Sequence, residues 1–293
     1  MISILPWYIF AFTSAIFNTL FQIIRKKAVS KAHAMNFESV RAMYEALLAL
    51  LLIPFISWSF DKSVLIWIYI VSLIAVIGIL YASKAFRHGE ISLISPWANM
   101  RPFFVAVLAF IFLNEALTIK QIIGISIILI SAYLLESDHR ISSFIEPLKH
   151  LLKSKYSLYF IFATFLFSIT SVLDKFVLTT RMDNIFTYSF FIWIFIAVNF
   201  NIIHTMMYGF KDTLECLKKE KHLPVIVALC SMLSGLLAYK AFTMAYVSLV
   251  MPILMMSTLF TVLLGGRFFH EKNLLFRLGT SVIMLFGAYL IIV

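Results

Sequence analysis

The stretch Pro96-Trp97-Ala98-Asn99-Met100-Arg101-Pro102 sets an indole, an amide and a guanidinium between two prolines. A guanidinium presents a planar fork of N–H donors that matches a carboxylate or a phosphate. Arg101, Asn99 and Trp97 are therefore candidate substrate-binding residues. Each proline removes a helical hydrogen bond, so Pro102 frees the carbonyl of Ala98 where a helix runs through it. Freed carbonyls and charges inside a bilayer need protein or water around them, and the segment reads as a kinked wall of a cavity. Pro96, Pro102 and Pro252 are candidate hinges. The alternative for Pro96 is a helix start with Ser95 as its cap.

Asn18, Gln22, Tyr239 and Lys240 are further candidates for the same cavity. Each also has a plain structural use, since amides bridge neighbouring helices and a lysine reaches headgroups. If Arg101 is not a substrate ligand it needs an acidic partner, for which Glu45 is the best candidate. Arg41 and Glu45, at i and i+4, have the spacing of a structural ion pair on one helix. Asp174 and Lys175 resemble a second local pair. Glu115 and Glu271 stand at helix junctions, where a carboxylate favours the start of a helix. The seven histidines show no HExxH spacing, and no Ser-His-Asp or Gly-rich phosphate motif is present. No catalytic residue, metal or cofactor is expected.

The elements that must hold these side chains follow from composition. The chain is 62% hydrophobic and 13% charged, with a mean hydropathy of +0.98. A soluble domain is about half apolar and about a quarter charged, so the solvent of this chain is lipid. Ten runs of span length are predicted at 3–24, 37–58, 64–83, 91–113, 119–135, 157–178, 186–209, 223–244, 248–269 and 275–293. They are too long for barrel strands and lack in–out alternation, so the fold class is all-α and polytopic. The first run, followed by Arg25-Lys26-Lys27, reads as a retained helix rather than a signal peptide. Residues 136–156 read as an amphipathic linker between the halves 1–135 and 157–293. The net charge of +10 sits at loop ends with no nucleic-acid-binding signature. The expected partners are a small-molecule substrate and membrane lipid, with no nucleic acid; a homodimer is compatible with the sequence.

An internal repeat organises the runs. Lys84-Ala85-Phe86 recurs as Lys240-Ala241-Phe242, an offset of 240 − 84 = 156. The same offset carries Ser92-Leu93 onto Ser248-Leu249, Pro96 onto Pro252, Glu115 onto Glu271 and Ala132-Tyr133-Leu134 onto Ala288-Tyr289-Leu290. Each half holds five runs, an odd number, so the second half enters the membrane from the opposite side. Inverted repeats of this kind mark secondary transporters.

Residues 82–135 also carry a family likeness: an Ala-aromatic turn, Pro102 thirteen residues before Glu115, Leu113-Asn114-Glu115, and a closing helix bearing Gly124. This pattern resembles the EamA-type domain of the drug/metabolite transporter superfamily. The second half resembles it more loosely through Pro252, Glu271 and Gly279, with Thr258 in place of the second proline. The resemblance implies two five-helix EamA-type repeats in a bacterial cytoplasmic membrane. It also implies export or import of a small metabolite, for which the inverted repeat points to alternating access and Arg101, with no neutralising neighbour in its own helix, to an amphiphilic or anionic solute such as an amino acid, organic acid or nucleotide-like compound. A rival reading is a flippase for a lipid-linked intermediate, or a membrane scaffold that partners an enzyme.

Charge bias predicts topology. Odd-numbered connections carry seventeen Lys and Arg, while even-numbered ones carry Lys62, Lys120, Lys175 and Arg181. The positive-inside rule then puts the odd connections in the cytoplasm and both termini outside, whereas the resemblance implies cytoplasmic termini.

Overall fold

The computed structural model describes residues 5–29, 34–88, 95–136, 154–209, 211, 223–261 and 274–293. Among them are ten α-helices and no strand. In chain order they are α1 (Trp7–Val29), α2 (Ala34–Ala49), α3 (Val64–His88), α4 (Arg101–Leu113) and α5 (Ile119–Glu136). The second set is α6 (Lys155–Thr180), α7 (Ile185–Tyr208), α8 (Leu223–Met244), α9 (Val247–Leu254) and α10 (Leu274–Ile292). Helix is the form that satisfies every backbone group within one segment, as lipid demands. Most of the expected linker, along with Ser92 and Glu271, lies outside the described residues.

Among the described residues five helices are long and apolar enough to cross a membrane: α1 over Trp7–Arg25, then α3, α6, α7 and α8. Of the others, α5 and α10 are apolar but shorter, and α2, α4 and α9 adjoin interruptions. The second expected run gives way after Ala49 to a 3₁₀ helix, Leu50–Phe55, which contains Pro54. In the fourth, the 3₁₀ helix Ser95–Met100 precedes α4. The ninth pauses in a turn at Met255–Met256 before helical residues 257–261. Pro252 inside α9 cannot donate to the carbonyl of Ser248, which weakens this helix just before it pauses.

Each helix of the first half packs against one of the second: α1 on α8, α2 on α7, α3 on α6, α4 on α9 and α5 on α10. The α5–α10 crossing depends on two glycines. A Cβ at Gly124 would stand 2.7 Å from the carbonyl oxygen of Gly287, and one at Gly287 would stand 2.9 Å from that of Gly124. Small residues that let backbones meet are the usual way for helices to associate in lipid.

Helix ends are tied across the halves as well. The Glu115 carboxylate accepts from the backbone N–H groups of Val247 and Ser248, at 2.9 and 3.1 Å, and from the Ser248 hydroxyl at 2.5 Å. It therefore caps α9, a helix far along the chain, rather than the helix that follows it. On the other side of the same junction Lys175 Nζ donates to the carbonyls of Phe242 and Ala245, closing α8. A negative cap on a helix start and a positive one on a helix end both oppose the helix dipole. Outside the spans, Ser63 donates to Asp61 through its hydroxyl and its N–H and holds that carboxyl below its ordinary range.

Candidate functional site

Arg101 is the first residue of α4, and Pro102 sits in the first turn of that helix. This corrects the expectation of a proline kink inside a continuous helix. The chain changes from 3₁₀ to α at Met100–Arg101, and Pro102 occupies a position whose N–H has no helical partner to lose. Pro96 lies within the 3₁₀ helix.

The guanidinium reaches across to α6. Arg101 Nη2 donates to Ser171 Oγ at 2.8 Å and to the carbonyl of Phe167 at 3.2 Å, and the guanidinium carbon lies 5.7 Å from the Phe167 ring centre. Ser168 donates back to the carbonyl of Arg101 at 3.4 Å. Phe167 fits because α3 carries Gly78 beside it; a Cβ there would stand 2.8 Å from the ring. Thus a glycine on α3 seats an aromatic ring on α6, which seats an arginine on α4.

Three N–H groups on this short segment are buried without an acceptor: Trp97 Nε1, Asn99 Nδ2 and Arg101 Nε. Trp97 and Asn99 are 7% and 3% exposed. The oxygen of Asn99 is used, accepting from Thr258 at 3.5 Å. Nearby on α6, one turn beyond Ser171, the buried Asp174 accepts from the Tyr188 hydroxyl of α7. Tyr239 of α8 packs edge-on against Tyr188, with ring centres 5.2 Å apart. Asp174 thus lies one turn along α6 from Ser171, which Arg101 contacts, yet no ion pair joins Asp174 to Arg101 within 4.0 Å.

The acid expected for Arg101 is engaged elsewhere. Glu45 pairs with Arg41, and Arg41 Nε also meets Glu38 at 2.7 Å, whose other oxygen takes Arg25 Nε at 2.6 Å. Glu38 and Glu45 each lie about one turn from Arg41 along α2, so Arg41 lies between two carboxylates and cannot spare either. Asp174 and Lys175 likewise do not form a pair, because adjacent helical residues point about 100° apart.

The remaining candidates divide. Tyr239 joins the Arg101–Asp174 neighbourhood through Tyr188. Asn18 and Gln22 both donate to Ser257 Oγ at 3.3 Å, and Thr19 donates to the Ser257 carbonyl at 3.2 Å, forming a seam between α1 and the segment after α9. That seam meets the arginine cluster only through the next residue, Thr258. At Lys240 the recorded bond is to its backbone carbonyl, from Thr243. A shallow groove of about 450 Å³ lies apart from all of these, on α7 along Val198, Asn201, Ile202, Thr205 and Met206.

Sequence reading missed Ser168, Ser171 and Asp174 as neighbours of Arg101. Their signal was present: with Thr164 they form a polar stripe at spacings of three and four along α6. What the stripe faced was not written in it.

Residues 5–137 match the EamA-like transporter family. A solved crystal structure superposes over 97% of this chain and 96% of its own with a TM-score of 0.69, at 10% sequence identity, a likeness of fold alone. An uncharacterized protein of Methanocaldococcus jannaschii is 35% identical over 75 residues, which are 26% of this chain and 55% of that protein. The match thus spans about half the length of that curated relative. Apolar helices and the family match together define a multi-pass membrane protein. Over residues 5–137 the chain is similar to EamA-type transporters of the drug/metabolite transporter superfamily.

Proposed function

We propose that this protein moves a small carboxylate-bearing metabolite, such as an amino acid or organic acid, across a bacterial cytoplasmic membrane by alternating access, with Arg101 as the carboxylate ligand. The observation that carries this reading is the set of three orphaned N–H donors on Trp97, Asn99 and Arg101. A buried donor without an acceptor costs about 1–3 kcal/mol. Three of them within five residues, all donors, are what an acceptor-rich solute would satisfy. Arg101 also sits at the positive end of α4, where a cation is unfavourable until an anion arrives.

Alternating access draws support from the pairing of helices. Replacing each helix by the one five places on turns the α1–α8 pair into α6–α3 and leaves α2–α7, α4–α9 and α5–α10 as they are. That is the arrangement an inverted repeat of 1–135 and 157–293 would produce, and such repeats rock about a central site. The interruptions before α4 and after α9 fall at matched places, which supports Pro96 and Pro252 as flexing points.

Purified protein in lipid vesicles, preloaded with unlabelled solute, tests the reading by exchange of labelled amino acids and labelled di- and hydroxy-carboxylic acids. Saturable exchange of a carboxylate is expected, weakened by about tenfold or more in Arg101→Lys, which cannot form the two-pronged contact. Exchange of solutes without a carboxylate, undiminished in Arg101→Met, would overturn it.

A further inference from the structure

Helices α3 and α6 run antiparallel along one seam, in which Trp67 meets Phe176, Tyr81 meets Phe162 and His88 meets Tyr156. The two ends of this seam carry different charge. At one end the acid Asp61 and the base Lys62 precede α3, and the base Arg181 and the acid Asp183 follow α6. At the other end the last turns of α3 supply Lys84, Arg87 and His88, and the start of α6 supplies Lys155, all exposed. No acidic side chain stands on the last three turns of α3 or the first three of α6. Among the described residues ion pairs join only α1 and α2. Aromatic rings gather the unpaired cations. Lys84 Nζ lies 5.4 Å from the centre of the Tyr159 ring, and Lys155 Nζ lies 5.3 Å from that of Tyr156. Those two rings are 6.1 Å apart, and His88 stacks on Tyr156 at 5.4 Å. Ammonium groups seated on adjacent rings converge on one patch instead of fanning into water. Arg87, one turn from Lys84 on α3, extends it. The dipole of α3 accounts for cations at that helix's end, but Lys155 opens α6, where a cation is unfavourable and an anion welcome.

Deeper into the membrane the same seam turns apolar. Ile77, one turn before Tyr81 on α3, is 42% exposed, and Leu158 and Phe162 on α6 are 54% and 43% exposed. Phe162 packs edge-on against Tyr81 with ring centres 5.0 Å apart. About 10 Å of helix separates Lys155 from Phe162, so a basic patch and an exposed apolar track follow one another as headgroup and acyl chain do in a phospholipid. We propose that this end of the α3–α6 seam binds one anionic phospholipid, its phosphate held by Lys84, Arg87 and Lys155 and its chains lying along Ile77, Leu158 and Phe162. Both connections that adjoin this end are odd-numbered, the set that holds the excess of Lys and Arg. Anionic lipid is the leaflet chemistry that such a face meets. The lipid would bridge a helix of the first half to one of the second, and the proposal is independent of which solute the protein carries.

The test uses the full-length protein in detergent, with phosphatidylglycerol and phosphatidylcholine of identical chains as probes. Native mass spectra at rising lipid concentration give the affinity of the first lipid bound, and melting curves give its effect on stability. The wild type should bind phosphatidylglycerol about tenfold or more tighter than phosphatidylcholine, and melt higher in its presence. Each cation removed should cost about fivefold in that preference, so Lys84→Gln/Lys155→Gln should bind the two lipids nearly alike. Arg87→Gln, which breaks no ion pair, carries the same test with a fivefold loss should the double variant fold poorly. Lys62→Gln/Arg181→Gln, at the charge-balanced end of the seam, should keep the wild-type preference. Equal affinities for the two lipids in the wild type would overturn the proposal, as would a preference that survives both Lys84→Gln/Lys155→Gln and Arg87→Gln. Glycerol phosphate that raises the melting temperature as far as phosphatidylglycerol at the same concentration would also overturn it, because the patch would then be taking a free anion and not a lipid.

Discussion

Two groups of charges lie inside this helical bundle, and they are built on opposite terms. Arg25 of α1 with Glu38, Arg41 and Glu45 of α2 forms an unbroken row in which cation and anion alternate and each touches the next. Around α4 and α6, Arg101 lies one turn of α6 from Asp174 without an ion pair to it, and three N–H donors on the arginine's own segment have no acceptor. The row is closed by its own members. The cluster is left incomplete by its own members, although the same chemistry was at hand to close it. A protein that needed Arg101 only for packing could have placed an acid beside it, as α2 does for Arg41. The contrast teaches that buried charge in a membrane protein is not by itself a mark of a site; unmet hydrogen-bonding capacity beside the charge is.

The largest effect expected from this contrast is on the closed row. Arg41→Met strands the buried carboxylate of Glu45 and leaves Glu38 with Arg25 alone, and should destabilise by about 3–5 kcal/mol, seen as a sharply lowered melting temperature in detergent. Adding Glu38→Gln and Glu45→Gln should recover much of the loss. An Arg41→Met protein that melts like the wild type would erase the distinction between the two regions.

In the open cluster, Arg101→Met should cost less than about 1 kcal/mol, because it strands no contact ion and Asp174 is free to take a proton. Its melting temperature should stay near that of the wild type while carboxylate exchange is lost. Destabilisation as large as that of Arg41→Met would make Arg101 a structural charge.

The amide seam on α1 supplies an intermediate reference. Asn18→Ala removes one interhelical bond to Ser257 while Gln22 keeps another, so a loss of about 0.6 kcal/mol is expected in the same melting assay. A much larger loss would mean that Asn18 belongs to a tighter network than its bonds indicate.

The smallest stability effect is expected at Trp97. Trp97→Phe keeps an aromatic ring and deletes an orphaned donor, so the melting temperature should not fall, and the apparent affinity for a carboxylate should drop by up to about tenfold. A clear fall in melting temperature would show that the indole N–H is satisfied in the resting protein.

Part of this was legible from the residues alone. Composition and run length specify an all-helical membrane protein because lipid leaves the backbone few other choices. The pairing of Arg41 with Glu45 could be read from a spacing of four, since both residues ride on one helix whose geometry is known in advance. Arg101 could be marked for the same elementary reason: a charge about ten residues from either end of a mostly apolar run needs an explanation.

What the charge faces is a different kind of fact. Glu45, Asp174 and Glu115 are each a carboxylate in or beside an apolar run, and nothing local separates the one that closes a row from the one that stays open or the one that caps a helix. Glu115 reaches Val247 and Ser248 across 132 and 133 residues, and Ser171 meets Arg101 across 70. Those meetings depend on which helix faces are apposed, and an apolar helix can present several faces to lipid or to a neighbour at similar cost. The sequence by itself determined the solvent, the helices and the local pairs, because each follows from interactions within a few turns of one segment. Only the packing of ten helices decided which buried charge was left with capacity to spare.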